Sequence, residues 1–142
     1  MTIIATDGRT MAADGLTTEC GVIVALDSVK VERLPDGSLF GAAGDCAGGD
    51  ALRDWVICGG KGSFPSVEHA SGLHLRVDGS IDLYDTTCPS RPLRCPAPMA
   101  IGSGMEPALG AMDAGATPRR AVEITIARTP TCGGKITEEA LA

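Results

Sequence analysis

Four Asp-Gly dipeptides divide the chain, at Asp7-Gly8, Asp14-Gly15, Asp36-Gly37 and Asp78-Gly79. Between two extended stretches, Asp-Gly is a strong hairpin signal, because glycine takes positive φ freely and aspartate bonds the backbone of its own turn. Three of the four are placed in this way. The first joins TIIAT to RTMAA, the next joins VKVERL to SLFGAA, and the last joins LHLRV to SIDLY. The alternating pattern of that last pair predicts one polar and one apolar face. A further strand, PMAI, follows the Pro-rich stretch from Pro89 to Pro98. A chain punctuated like this is expected to fold around antiparallel sheets.

Helices are predicted between and after these hairpins. Ala51, Leu52, Trp55 and Val56 recur at helical spacing over about ten residues, and Cys58-Gly59-Gly60 stops the run before the loop GGKGSFP. Met105, Ala108, Leu109 and Met112 fall at i, i+3, i+4 and i+7, with Gly115 as the end. Thr117-Pro118 offers an N-cap and a first-position proline for a third helix. Val122, Ile124 and Ile126 alternate there as a strand would, and the capping signal decides for helix. CGGKI predicts a short closing strand. The order is hairpin, hairpin, helix, hairpin, strand, helix, helix, strand, which predicts an α+β fold of packed sheets covered by helices. A length of 142 residues fits one domain over 1–142, burying about two-thirds of its extended-chain surface.

Composition narrows the function. Apolar residues make up 44% of the chain but aromatics only 3%, so the core is expected to pack through small aliphatic side chains. A net charge of −6 argues against a nucleic-acid partner, and Pro118-Arg119-Arg120 is too short a basic run to reverse this. No apolar run approaches the roughly 20 residues of a membrane span, and no leader is expected before Thr2; a cytoplasmic, membrane-free protein is the expectation. Cys20, Cys46, Cys58, Cys88, Cys95 and Cys132 contain no C-x-x-C pair and are expected to be buried thiols rather than a disulfide framework. A zinc site from His69, His74, Cys88 and Cys95 is the weaker reading of those residues, so no metal or cofactor is expected. Asn and Gln are both absent, so no side-chain amide can act as an oxyanion donor.

The chemistry centres on Thr2. A threonine hydroxyl is unreactive at neutral pH unless a base takes its proton. An N-terminal threonine carries its own base, a free α-amine with an ordinary pKa of about 7.7–8.0. Removal of Met1 would expose it. Asp14 ends the strand antiparallel to the first and so lies near its start. Lys30 sits in SVKVERL, with Val29 and Val31 expected on the opposite face. A lysine buried beside Thr2 needs a carboxylate, and Asp14 is the available one. Its charge would favour a Thr2 alkoxide and keep the amine neutral. Gly44 ends a strand just before a helix, where its N–H could meet an oxyanion.

In order, TII, AADG, KVERL, FGAAGDCAG and AIGSGMEPALGAM resemble the motif series of the proteasome-type N-terminal nucleophile hydrolases, in particular the bacterial HslV branch and its shorter relatives. The match spans most of the chain. The resemblance implies Thr2 as nucleophile, Asp14 and Lys30 as its activating pair, Gly44 as oxyanion donor, and Ser103 close to the nucleophile's amine. It also implies a four-layer αββα sandwich and a self-compartmentalised threonine peptidase built from stacked rings of six or seven subunits. Its substrates would be peptides or unfolded proteins, and an ATP-dependent unfoldase would be its partner.

Three departures accompany the resemblance. IARTPTCGG offers Thr129 and Thr131 where the family usually carries an aspartate. Asp45 stands beside the oxyanion donor in place of a small residue. The loop GGKGSFPSVEHASG replaces a second long helix after Trp55, so the helix layer is trimmed. An amidase of small molecules, a catalytically impaired member of the fold and a non-catalytic ring-forming scaffold are the competing readings.

Overall fold

The computed structural model describes residues 2–65, 68–85 and 91–142. Met1 and Cys88 lie outside them. The chain runs β1 (Ile3–Thr6), β2 (Thr10–Ala13), β3 (Thr17–Glu19), β4 (Val22–Ala25), β5 (Val31–Arg33), β6 (Leu39–Gly44) and α1 (Cys46–Ile57). It continues through β7 (Ala70–Leu75), β8 (Ile81–Tyr84), β9 (Leu93–Cys95), β10 (Met99–Gly102), α2 (Met105–Asp113), α3 (Pro118–Arg128) and β11 (Thr137–Ala140). One sheet has the order β10-β1-β2-β11, another β5-β6-β7-β8-β9, and β3 pairs with β4 alone. All pairings are antiparallel. The fold is α+β, as the element order predicts.

Three Asp-Gly turns form as expected, by one mechanism. Asp7 Oδ1 accepts from the N–H groups of Arg9 (2.9 Å) and Thr10 (2.8 Å). Asp36 and Asp78 each accept from the N–H of the serine two residues on, at 2.9 Å, and from its hydroxyl. The intervening glycines all have φ between 85° and 91°, which glycine alone adopts without strain. Asp14-Gly15 is different. It is no hairpin turn: Asp14 is fully buried, and a Cβ on Gly15 would press on the carbonyls of Leu26 and Lys135.

Both faces of each large sheet are used. Ile4, Met11, Val31, Leu39, Leu73 and Leu75 form an apolar cluster where the two sheets meet. Ile3, Ala5, Ala12, Ala100, Ala108 and Val122 form another, between β1, β2 and β10 and the helices α2 and α3. Phe40, Leu52, Ala70 and Tyr84 form the third, under α1. The third helix resolves the ambiguity of its sequence: Pro118, Ala121, Val122 and Thr125 are buried at helical spacing. Thr117 caps it, accepting from Arg120 N at 3.2 Å. Among the described residues no helix stands between α1 and β7, in line with the trimmed helix layer.

Several expectations are corrected. CGGKI is not a strand. Gly134 adopts φ 75°, and this segment's N–H groups bond Asp14 and Leu26, so the closing strand begins only after the segment has ended, at Thr137. Val29 and Val31 do not share a face: Val29 is exposed and Val31 buried, because β5 starts only at Val31. The hairpin β3–β4 and the strand β9 are additional to the predicted elements. Cys20-Gly21 supplies the β3–β4 turn with φ of 49° and 78°. The cysteines are not generally buried. Cys20, Cys46 and Cys58 are exposed at a turn and at the two ends of α1, Cys95 is half-buried, and Cys132 is buried.

Candidate active site

Thr2 is the residue before β1 and is 6% exposed. Its carbonyl accepts from Gly104 N and from Ser103 Oγ, both at 3.4 Å. The approach is close because Gly102 has φ 102° and no side chain: a Cβ there would overlap the Thr2 carbonyl. The sequence Gly102-Ser103-Gly104 is therefore shaped to the backbone of Thr2.

The next backbone group is held by Asp14. Ile3 N donates to Asp14 Oδ1 (3.1 Å), and Asp14 N donates to Ile3 O (3.2 Å). The same Oδ1 accepts from Lys30 Nζ at 2.9 Å, while Oδ2 accepts from Gly133 N at 3.0 Å. Lys30 Nζ also donates to Leu16 O at 2.6 Å. A fully buried carboxylate with three donors, one of them its countercharge, has the hydrogen bonds that make a buried ion pair tolerable. The pairing of Asp14 with Lys30 read from the sequence is thus present. The contributions of Gly133 N–H and Leu16 C=O were not anticipated; the double glycine of TCGG is their only local sign.

Gly44 closes β6 with φ 95°, and a Cβ there would run into the His69 carbonyl. Asp45 follows it, but its carboxylate is turned into α1. Oδ2 caps the helix by accepting from Gly48 N at 2.9 Å. The acidic residue beside Gly44 therefore serves as an N-cap in a chain without asparagine.

On the other side of Thr2, the Ser103 hydroxyl lies 3.0 Å from Thr131 Oγ1 and 3.7 Å from Cys132 Sγ. Burial, reinforced by the Asp14 charge, pushes the Cys132 thiol above its ordinary pKa, so it is an uncharged neighbour. Neutral hydroxyl and thiol groups surround Ser103 here.

Two clefts meet at Thr2. One, of about 340 Å³, is lined by Thr2, Lys30, Gly44, Cys46 and the base of the β3–β4 hairpin. Arg53 forms its outer wall, held by Glu32 at 3.0 Å and Asp50 at 3.1 Å. The other, of about 470 Å³, is lined by Thr2, Gly44, His69, Ser71, Asp85 and Ser103. Thr2, Lys30, Gly44 and Ser103 thus converge on the two clefts, with Asp14 directly behind Lys30. The zinc reading gains no support from His74, which is buried and bonded to Ser38, while Cys88 lies outside the described residues.

No protein-family profile and no curated protein sequence matches the chain. Solved structures do match. Thiobacillus denitrificans BPH in complex with epoxomicin superposes with TM-score 0.73 at 20% identity, covering 100% of both chains. Thiobacillus denitrificans BPH without it gives 0.71 at 21% identity, over 100% of this chain and 99% of that one. Eukaryotic HslV from Trypanosoma brucei gives 0.73 at 17% identity, covering 97% of each chain. The chain has the fold of these proteins, the proteasome-type N-terminal nucleophile hydrolase fold.

Proposed function

We propose that this protein is a threonine-type peptidase that hydrolyses peptide bonds with Thr2 after loss of Met1. The observation that carries the proposal is the Asp14–Lys30 pair, hydrogen-bonded to the backbone immediately after Thr2, in a site where Thr2, Lys30 and Gly44 line one cleft. We read the chain as one domain over 1–142 with four layers, αββα, a reading supported by its three apolar clusters. It is placed in the cytoplasm as a homo-oligomer of stacked six- or seven-membered rings, acting on peptides or unfolded proteins, with an ATP-dependent unfoldase as its partner class. No helix among the described residues is long and apolar enough to cross a membrane.

In this mechanism the free α-amine of Thr2 accepts the proton of its own hydroxyl, directly or through one water. The Lys30 ammonium, oriented by Asp14, favours the resulting oxygen nucleophile. Attack on the substrate carbonyl gives a tetrahedral oxyanion, to which the N–H of Gly44 donates. Collapse expels the amine product, which takes its proton from the Thr2 ammonium, and leaves an ester on Oγ1. Water then cleaves the ester by the reverse proton route. Ser103, bonded to the Thr2 carbonyl, keeps the residue in place. With Met1 attached the amine is an amide nitrogen and cannot act as base.

Intact-mass measurement and fluorogenic peptides test the reading together. The expected results are loss of Met1, turnover by the wild type, no turnover by Thr2→Ala, and an epoxomicin adduct in the wild type only. Equal, low turnover in both proteins would refute the peptidase. The neutral Thr131–Cys132 surroundings of Ser103 favour a second reading, an amidase or catalytically weakened member of the fold. Cleavage of small amides by the wild type but not by Thr2→Ala, with peptides untouched, would select it.

A further inference from the structure

The cleft of about 340 Å³ beside Thr2 has two periodic walls. Along α1, Cys46, Gly49, Asp50 and Arg53 line it at i, i+3, i+4 and i+7, so one stripe of the helix faces the opening. Opposite, Phe40, Ala42 and Gly44 line it from β6 at two-residue spacing. The walls stand close, since a Cβ on Gly49 would come within 2.7 Å of Ala42 Cβ. Thr2 and Gly44 mark the reacting end. Glu32, which is bonded to Arg53 and is the cross-strand partner of Phe40, marks the far end. Counted from Cys46, Asp50 lies about 6 Å and Arg53 about 10 Å along the helix axis, at about 1.5 Å per residue.

Charge is unevenly distributed along this depth. At the reacting end, the Lys30 ammonium is matched by Asp14 at 2.9 Å. In between, Ala42 and Gly49 offer no polar side chain. At the far end, Arg53 is surrounded by carboxylates. Its Nη1 lies 3.0 Å from Glu32 and 3.1 Å from Asp50, while Nε and Nη2 each donate to Asp54 at 3.1 Å. One guanidinium thus faces three carboxylates, all at least 47% exposed.

This arrangement discriminates between entering side chains. An anionic group finds the Arg53 donors engaged and meets an excess of negative charge. An aliphatic group packs against Ala42 and Phe40 but leaves the carboxylates unused. A long aliphatic stem ending in a cation does both, with its stem in the narrow middle and its head at Asp50 and Glu32.

We propose that this cleft receives the side chain of the residue whose carbonyl Thr2 attacks, and that Asp50 and Glu32 select lysine or arginine there. Arg53 competes with the substrate for the two carboxylates. The assignment deepens the peptidase reading and rests on it for the step of attack; the charge selectivity of the cleft does not depend on turnover.

Fluorescence anisotropy on the mature Thr2→Ala protein measures binding without cleavage. The probes are tetrapeptide amides with a neutral fluorophore at the amino end, differing only in a last residue of lysine, leucine or glutamate. Lysine is expected to bind at least about tenfold more tightly than glutamate, with leucine between them, as a partly enclosed charge pair allows. Added to Thr2→Ala, either Asp50→Asn or Glu32→Gln is expected to cut the lysine-to-glutamate ratio by about threefold or more, and Arg53→Met to raise it. Far-UV circular dichroism verifies that each variant is folded. Equal affinities, a preference for glutamate, or no binding of any probe would overturn the proposal, as would a ratio unmoved by both carboxylate variants. In the wild type, kcat/KM for matching fluorogenic substrates is expected to follow the same order, and a different order would overturn the link to the attacked residue. Selective binding of lysine with no turnover of any substrate would instead refute the peptidase and leave the selectivity of the cleft in place.

Discussion

Replacing Lys30 by methionine removes a charge from the most enclosed polar group in the site while keeping most of the stem's volume. Asp14 is fully buried, and its partner side chain is only 10% exposed. The substitution leaves Asp14 with the N–H groups of Ile3 and Gly133 but without its countercharge, and it removes the donor to Leu16 O. Breaking one side of a buried pair costs about 3–5 kcal/mol, and the two remaining N–H donors place the expected loss near the lower end, about 3 kcal/mol. At about 2–4 °C per kcal/mol for a chain of this size, Tm falls by roughly 10 °C. Denaturant unfolding of Lys30→Met, of Asp14→Leu and of the double variant makes the test. Because a neutral, well-packed pair escapes the desolvation cost, the double variant is expected to be more stable than the sum of the two losses implies. A loss below about 1 kcal/mol for Lys30→Met, or strict additivity, would refute the account of a tightly coupled pair.

Gly44→Ala is expected to lose about 1–3 kcal/mol and all peptide turnover, since a side chain at positive φ would also meet the His69 carbonyl; thermal unfolding and the peptide assay check both, and an unchanged Tm would refute the strain. Thr131→Val is expected to lower kcat by roughly tenfold with KM little changed, because Ser103 loses its hydroxyl partner at 3.0 Å. Thr131→Ser should restore the rate, and failure of that rescue would assign Thr131 to packing alone. Stability is expected to fall as pH drops from 7 toward 5. Burial, aided by the Arg76 charge, holds the His74 imidazole below its ordinary pKa against the weaker opposing pull of Asp36 and Asp82. Below about pH 6.5 the unfolded chain therefore binds a proton that the native state does not. Its Nε2 lies 2.9 Å from Ser38 Oγ, and Nδ1 is buried without a partner among the described residues. Denaturant midpoints for His74→Leu should lose most of that slope, and an equally steep profile would place the titration elsewhere.

Local physics made the turns and helices legible. Asp7-Gly8, Asp36-Gly37 and Asp78-Gly79 bend the chain with atoms from within four residues, and Thr117 caps α3 with an N–H three residues away. Such interactions are complete within a short window of sequence, so residue order alone determined them, together with the convergence of motifs on Thr2. What the window does not contain was decided by packing. Asp14-Gly15 has the same letters as the three turns, yet it became a buried carboxylate, because β1, Lys30 and Gly133 supply its donors from up to 119 residues away. The β3–β4 hairpin carries only Cys20-Gly21 as a turn and no alternation of apolar and polar residues in β4, so nothing local marked it. The exposure of Cys46, the turning of Asp45 into α1 and the neutral surroundings of Ser103 likewise followed from which segments were brought together. A sequence records the donors and acceptors, but which of them meet across the fold depends on the burial of the whole chain.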